Sequence, residues 1–214
     1  MILALLIGAF LIGSIPTGSV IATLKGVDLR KVGSGNIGAT NVLRAMGKGA
    51  ALLTLAGDIA KGLVPVIAVR FFFPDIGIQF NPMVSIPFQI SNTHEAFEGA
   101  VGLATILGHD YSIFLKFKGG KGVATSFGVA YALSPYAAIM AAIGWLMTFR
   151  VSGYSSLSGL AAFASFPLCI CIVDYSSEKL AVAVIIAILI LITHRGNIKR
   201  LIAGTESKFM MKRK

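Results

Sequence analysis

The chain is short of charge. Of its 214 residues only 13% are Asp, Glu, Lys or Arg, against 56% hydrophobic ones, and its mean hydropathy is +0.83. That balance excludes a soluble globular domain and leaves an integral membrane protein. Cysteine is nearly absent: Cys169 and Cys171 stand two apart in an apolar run with no histidine nearby. They face different sides of a helix, so they are packing or lipid-facing residues and not a metal site. Acidic residues are scarcer than basic ones, 9 against 19, for a net charge of +10. The basic residues gather in a few polar stretches. They therefore report topology first and attraction for anionic substrates or membrane lipid second, with no nucleic acid implied. Residues 1–24 lack the basic leader of a cleaved signal peptide, and the first positive charge, Lys25, follows the apolar run. This predicts a retained first span with its N-terminus outside.

Roughly 20 apolar residues cross a hydrocarbon core of about 30 Å. Residues 1–24, 51–73, 96–115, 151–173 and 179–193 meet that requirement, the last with some shortening. Residues 122–149 would make about 42 Å of continuous helix, but Ser134-Pro135 interrupts them. Charge parity chooses between one helix and two. Lys25, Arg30, Lys31, Arg44 and Lys48 occupy 25–50, and the tail carries Arg195, Lys199, Arg200, Lys208, Lys212, Arg213 and Lys214. Residues 74–95 have no Lys or Arg, and 174–178 charge only Asp174 and Glu178. Two short helices meeting at Ser134-Pro135 place every basic segment in the cytoplasm. The expectation is an all-α integral membrane protein of seven transmembrane helices, two of them short, with the N-terminus out and the C-terminus in. It forms a single membrane domain over 1–214. The outer segment 74–95, with Pro82, Pro87 and His94, offers no chemistry, and His94 beside Glu95 lacks a second metal-ligand candidate in that compartment.

This topology collects three donor-rich segments on the cytoplasmic face, within 25–50, 116–125 and 194–206. The stretch 33–44, GSGNIGATNVLR, offers backbone N–H groups and little bulk. It is either a phosphate cradle or a flexible loop between helices. In KFKGGKGVAT, Lys116, Lys118 and Lys121 surround Gly119-Gly120 just before a helix start, which suits an anion or a positive-inside anchor. A Walker A loop would need Gly at Leu115 and Ser or Thr at Gly122, so an ATPase loses its support. His194, Arg195 and Asn197 end the last span, and Glu206 follows. Asp58 and Lys61, spaced i,i+3 within the second span, read as a structural ion pair supporting the site and not as a proton relay. His109-Asp110, Arg150, Tyr154, Ser155 and Ser156 lie on the same side. There is no G-x-S-x-G elbow, no cysteine near the loops and no HxxxxD arrangement, and no cofactor or metal is implied. A transporter of a phosphate-bearing solute is the rival reading. It wants a midplane site and repeated halves, neither of which is visible here. A lipid-binding scaffold is the weaker rival.

The three segments GSGNIGATNVLR, GHDYSIFLKFKGGKGVATSFG and HRGNIKRLIAGTE, with KGVDLRKV before the first and DIAKG in the second span, resemble the signature motifs of the bacterial acyl-phosphate:glycerol-3-phosphate acyltransferases, the PlsY family. The resemblance covers nearly the whole chain. It implies an inner-membrane enzyme of phospholipid synthesis, active on the cytoplasmic side, that moves a fatty acyl group from acyl phosphate to the sn-1 hydroxyl of glycerol 3-phosphate, giving lysophosphatidic acid and phosphate. A separate acyl-phosphate-forming enzyme would supply the donor. By the same resemblance Ser34, Asn36, Thr40 and Asn41 with Gly33, Gly35 and Gly38 hold the acyl-phosphate headgroup. Arg44, Lys121, His194 and Asn197 bind glycerol 3-phosphate, with Ser156, Lys116, Gly119 and Gly120 also on the substrates. Ser34, Arg44, His194 and Asn197 carry the reaction, and Glu206 is structural. The family often has Phe-Pro where this chain has Tyr111-Ser112, and 74–95 is longer than its pattern. Acyl phosphate is a mixed anhydride with a good leaving group, so direct transfer is expected, with His194 or a substrate phosphate oxygen as base and Ser34 as nucleophile in the rival mechanism.

Overall fold

The computed structural model describes residues 1–77 and 92–209. Pro82, Pro87, Lys212, Arg213 and Lys214 lie outside the described residues. Among the described residues all regular structure is helical: α1 (Ile2–Ser14), α2 (Thr17–Leu24), α3 (Ala39–Met46), α4 (Lys48–Phe72), α5 (Thr93–Asp110), α6 (Val123–Leu133), α7 (Pro135–Ser152), α8 (Ser155–Val173), α9 (Ser177–Thr193) and α10 (Arg195–Ile202). Single 3-10 turns lie at Leu29–Lys31 and Ile113–Leu115. Ile2–Leu24 taken across its break, Lys48–Phe72 and Ser155–Val173 are each long and apolar enough to cross a membrane, and α9 joins them when taken with α10.

Proline and glycine set the breaks. Pro16 separates α1 from α2 and leaves the Ile15 carbonyl without a helical partner. That oxygen accepts the Lys61 ammonium at 2.8 Å. Lys61 also meets Asp58 of its own helix at 2.9 Å, so the lysine has one partner on α4 and one at the α1–α2 elbow. Pro135 opens α7, as its fixed φ permits at a first helical position. The sequence predicts two short helices here, and the structure contains one. α6 has 11 residues, but α7 runs for 18 before Gly153 at φ 74° ends it, which is about 27 Å of helix. The sequence reading ends this stretch at residue 149, and the structure carries α7 on through Arg150 to Ser152. α10 leaves α9 at 62°, with His194 as the elbow.

α5 packs on α1, α4, α6 and α9, and α7 packs on α8. Small residues bring these backbones together, as suits helices with no hydrophobic drive to associate in lipid. A Cβ on Gly13 or Gly108 would strike the carbonyl of Thr105 or Phe10 across the α1–α5 contact, and one on Gly62 or Gly128 that of Thr125 or Ile59 across α4–α6. Phe97, Val101, Val129, Phe163, Phe166 and Ile186 fill the centre. Cys169 is buried and Cys171 exposed, on opposite faces as their spacing predicts.

At the end away from the three polar loops, the cations are matched. Arg70 makes two bonds to Glu98, at 2.8 and 2.5 Å, and one to the Ala132 carbonyl at 2.7 Å. His94 adds Glu98 at 3.2 Å and the Ile76 carbonyl at 2.8 Å. Lys179 lies 2.9 Å from Asp174 and 3.7 Å from Glu95. The sequence reading passes over Arg70 and Glu98, since partners 28 residues apart carry no local signal.

Candidate active site

A cavity of about 470 Å³ opens at the loop end of the bundle. The amino ends of four helices border it: Gly38, Ala39 and Thr40 of α3, Gly122, Val123 and Ala124 of α6, Ser155 and Ser156 of α8, and His194 and Asn197 of α10. Among the described residues, no side chain caps any of these ends. First-turn N–H groups of a helix lack intrahelical acceptors and sit at its positive pole, so their convergence suits phosphate oxygens. Motif reading reaches three of these ends separately but does not show that they meet.

Loop 33–38 is shaped from within. The buried Asn41 side chain gives its Nδ2 to the carbonyls of Leu29, Val32 and Asn36 at 3.2, 3.0 and 2.8 Å, while its Oδ1 accepts from Ser34 N at 3.0 Å. Asn41 also borders the cavity, with its polar atoms engaged by its own loop. Gly33, at φ 57° against that Oδ1, and Gly35, at φ 68°, permit the turn but do not line the cavity. Ser34, Asn36, Gly38 and Thr40 do line it. Thr40 Oγ1 lies 3.0 Å from Ser155 Oγ, tying α3 to α8.

The second loop is held by α5. Gly119 N donates to the Asp110 carbonyl at 3.1 Å and Gly120 N to the His109 carbonyl at 3.0 Å. A Cβ on Gly120 would strike the His109 ring. These glycines serve packing against α5, and their N–H groups are not free for phosphate. Lys116 is exposed, at φ 52°, and lies away from the cavity. Lys121 does border it. Where Tyr111-Ser112 stands, Ser112 Oγ donates to the Ser14 carbonyl at 2.5 Å, fixing this loop to α1.

Lys121 begins a chain of polar contacts. Its Nζ is 2.5 Å from Asn197 Oδ1, Asn197 Nδ2 donates to Glu206 Oε1 at 2.6 Å, Ser156 Oγ donates to the same oxygen at 2.8 Å, and Arg200 Nε donates to Oε2 at 2.7 Å. Burial takes the Lys121 ammonium down to about 8, with Glu206 opposing and Arg200 and Arg44 reinforcing. Burial pushes the Glu206 carboxyl upward, but the three donors outweigh it and hold it below its ordinary value. His194 Nδ1 lies 2.9 Å from the Ile190 carbonyl, which fixes that nitrogen as the donor and leaves Nε2 an acceptor. Burial and the neighbouring Lys121 bring the imidazole down to about 4. Arg44 is exposed and reaches the Ser207 carbonyl at 3.5 Å.

Deeper in, the wall becomes apolar. Leu55 and Ile59 of α4, Phe127 and Tyr131 of α6, and Ala138, Ile139, Ala142 and Trp145 of α7 continue the cavity as a groove. Ile139 and Tyr131 are half exposed, so the groove faces the surroundings of the bundle. Asp58 and His109 border the transition, with Oδ1 and Nδ1 3.8 Å apart. Asp110, Lys61, Arg150 and Tyr154 do not line the cavity.

Fold and site together define an all-α protein integral to the membrane, with an anion-suited cavity at one end of the bundle running into an apolar, partly exposed groove. The comparisons agree in class. A family model for glycerol-3-phosphate acyltransferases matches residues 3–204, and the chain belongs to that family. It is 42% identical over 207 residues to the glycerol-3-phosphate acyltransferase of Geotalea daltonii, covering 97% of each chain. It is 44% identical over 208 residues to that of Aquifex aeolicus, covering 97% of this chain and 98% of the relative. Crystal structures of PlsY, an integral membrane glycerol 3-phosphate acyltransferase, are similar in fold. The glycerol 3-phosphate form has a TM-score of 0.84 at 43% identity, with 98% of this chain and 96% of that one covered. The lysophosphatidic acid form has a TM-score of 0.82 at 41% identity, with 98% and 95% covered.

Proposed function

We propose that this chain transfers a fatty acyl group from an acyl phosphate to the sn-1 hydroxyl of glycerol 3-phosphate, releasing phosphate and leaving lysophosphatidic acid. This is the first acylation step of phospholipid synthesis. One observation carries the reading: a single cavity has four helix amino ends, Arg44 and Lys121 at one end and an apolar groove at the other. A phosphate-bearing acyl donor needs both halves at once, and a phosphate-bearing acceptor needs a second set of donors beside the first.

The donor's acyl chain lies between α4, α6 and α7, with its phosphate over Ser34, Asn36, Gly38 and Thr40. Glycerol 3-phosphate sits against Arg44, Lys121, His194 and Asn197, with Ser156 beside them. The acceptor hydroxyl attacks the carbonyl carbon, the ester C–O bond forms, and the C–O bond to phosphate breaks with its electron pair leaving on the phosphate. Orientation of both substrates and N–H donors near the carbonyl oxygen are worth several kcal/mol each in such a transfer. An imidazole held near 4 is a weak base at neutral pH, whereas a phosphate monoester titrates near 6. The hydroxyl proton therefore passes to a substrate phosphate oxygen, and His194 serves as a hydrogen-bond acceptor for the glycerol. Replacing His194 by Ala is expected to raise the KM for glycerol 3-phosphate while turnover at saturation stays within about tenfold; loss of a general base would cost about 10²–10⁴.

We infer seven spans, with α1 and α2 counted as one and α4 to α9 as six, the loop end facing the cytoplasm in a bacterial inner membrane. Support comes from the charge distribution. Lys25, Arg30, Lys31, Lys48, Arg150, Arg195 and Lys199 lie in or beside the segments at the cavity end, and the opposite end has only Arg70 and Lys179, each paired with carboxylates. The decisive experiment supplies purified protein with palmitoyl phosphate and glycerol 3-phosphate in lipidic mesophase and follows phosphate release. Release that does not depend on the acceptor would sink the enzyme reading, and an acylated Ser34 peptide would replace direct transfer with the covalent route.

A further inference from the structure

Arg30 lies just before the glycine-rich loop, and the motif reading counts it only as a positive charge. Its guanidinium joins its own glycine-rich loop to the second loop, whose Lys118 and Gly119 lie 88 and 89 residues further along the chain. Nη1 donates to the Gly35 carbonyl at 3.3 Å, while Nη2 donates to the Lys118 carbonyl and, at 3.4 Å, to the Gly119 carbonyl. The backbone that aims it is fixed. Arg30 N donates to Asp28 Oδ1 at 3.0 Å, Leu29 beside it is buried, and the Leu29 carbonyl accepts from Asn41 Nδ2 at 3.2 Å. The second loop is fixed on its other side, because the N–H groups of Gly119 and Gly120 bond to α5 carbonyls.

We propose that Arg30 is the positioning residue of the anion site, a clamp that sets the α3 amino end against the α6 amino end and turns the loop carbonyls away from the substrates. The physical reason lies in the trans peptide plane, where C=O and the following N–H point in opposite directions. Drawing the Gly35 carbonyl to the guanidinium turns the Asn36 N–H to the other side of that plane, and Asn36 borders the cavity. Without the clamp the Gly35 peptide can rotate and set a carbonyl oxygen against a phosphate. Three acceptors on two loops call for the planar, five-donor fork of arginine; an ammonium on a flexible stem cannot span them. Arg44, by contrast, borders the cavity with its charge largely unspent.

The clamp rests on the acyltransferase reading for its substrate, and its test separates the two. Arg30→Ala, Arg30→Lys and Arg30→Gln are made in the full chain. Binding of glycerol 3-phosphate is measured by equilibrium dialysis, transfer kinetics with palmitoyl phosphate, and unfolding by thermal melting. Arg30→Ala is expected to weaken glycerol 3-phosphate binding and raise its KM by about tenfold or more, the scale of losing hydrogen bonds to a charged group. The melting temperature should stay within a few degrees of the parent, with kcat changing less than KM. Arg30→Lys, which keeps the charge, recovers less than half of the loss on a logarithmic scale. Unchanged binding in Arg30→Ala overturns the clamp, and full recovery in Arg30→Lys replaces it with a simple charge effect. If Arg30→Ala does not fold, the same comparison is read from Arg30→Gln, which keeps one two-donor amide, and parental binding there overturns the clamp. A parent chain that binds glycerol 3-phosphate but transfers nothing leaves the clamp standing and fails the reaction.

Discussion

Lys121 and Glu206 set the electrostatics at the scale of single residues. A phosphate is bound best by a charged ammonium, and Lys121 loses its proton near 8 in the unliganded protein. The kcat/KM for glycerol 3-phosphate, which reports the free enzyme, is expected to fall as pH rises through about 8. The substrate is already fully ionised there, so the limb belongs to the protein. Glu206→Gln removes the anion that holds the lysine up, and the fall should begin at lower pH. A profile flat beyond pH 10, or one unmoved in the variant, contradicts this assignment. Asn41 shows why residue roles are hard to read from sequence. An asparagine in a Gly-Asn-Ser loop looks the same whether its amide meets a ligand or its own main chain, and its bonds to the Leu29, Val32 and Asn36 carbonyls come only with the folded loop.

At the scale of elements, the apolar helices and the break at Ser134-Pro135 were legible because apolar length and proline act locally. The second loop was not, since the acceptors of its Gly119 and Gly120 N–H groups sit on α5, at Asp110 and His109, and are set by the loop's return path. Gly120→Ala tests this packing role. The methyl group would meet the His109 ring, and an overpacked contact costs about 1–3 kcal/mol. Thermal melting should show the loss together with a raised KM for glycerol 3-phosphate, since Lys121 is the next residue. A parental melting temperature would leave the glycine free for another role. The length of α7 escaped the sequence as well: Arg150 lies in the helix's last turn, where a cation suits the carboxyl pole.

For the whole molecule, the meeting of the polar end and the apolar groove was only half legible. Three motifs pointed to the loops, whereas the groove is built from Leu55, Phe127, Ala138 and Ala142, ordinary residues of ordinary spans. Ala142→Trp is expected to obstruct it. At about 1–3 kcal/mol for overpacking, the KM for acyl phosphate rises about tenfold or more while that for glycerol 3-phosphate stays near the parent. Equal changes in both would mean that the substitution disturbs the fold and not the groove.

The half-exposed wall formed by Tyr131 and Ile139 makes the proposed reaction two-dimensional. One substrate arrives by lateral diffusion and is counted per unit area of bilayer, while the other arrives from water and is counted per volume. Rates at fixed total donor should therefore decline as inert lipid dilutes the membrane, although nothing in the aqueous phase has changed. The proposed lysophosphatidic product, carrying the same chain, would leave sideways by the same wall.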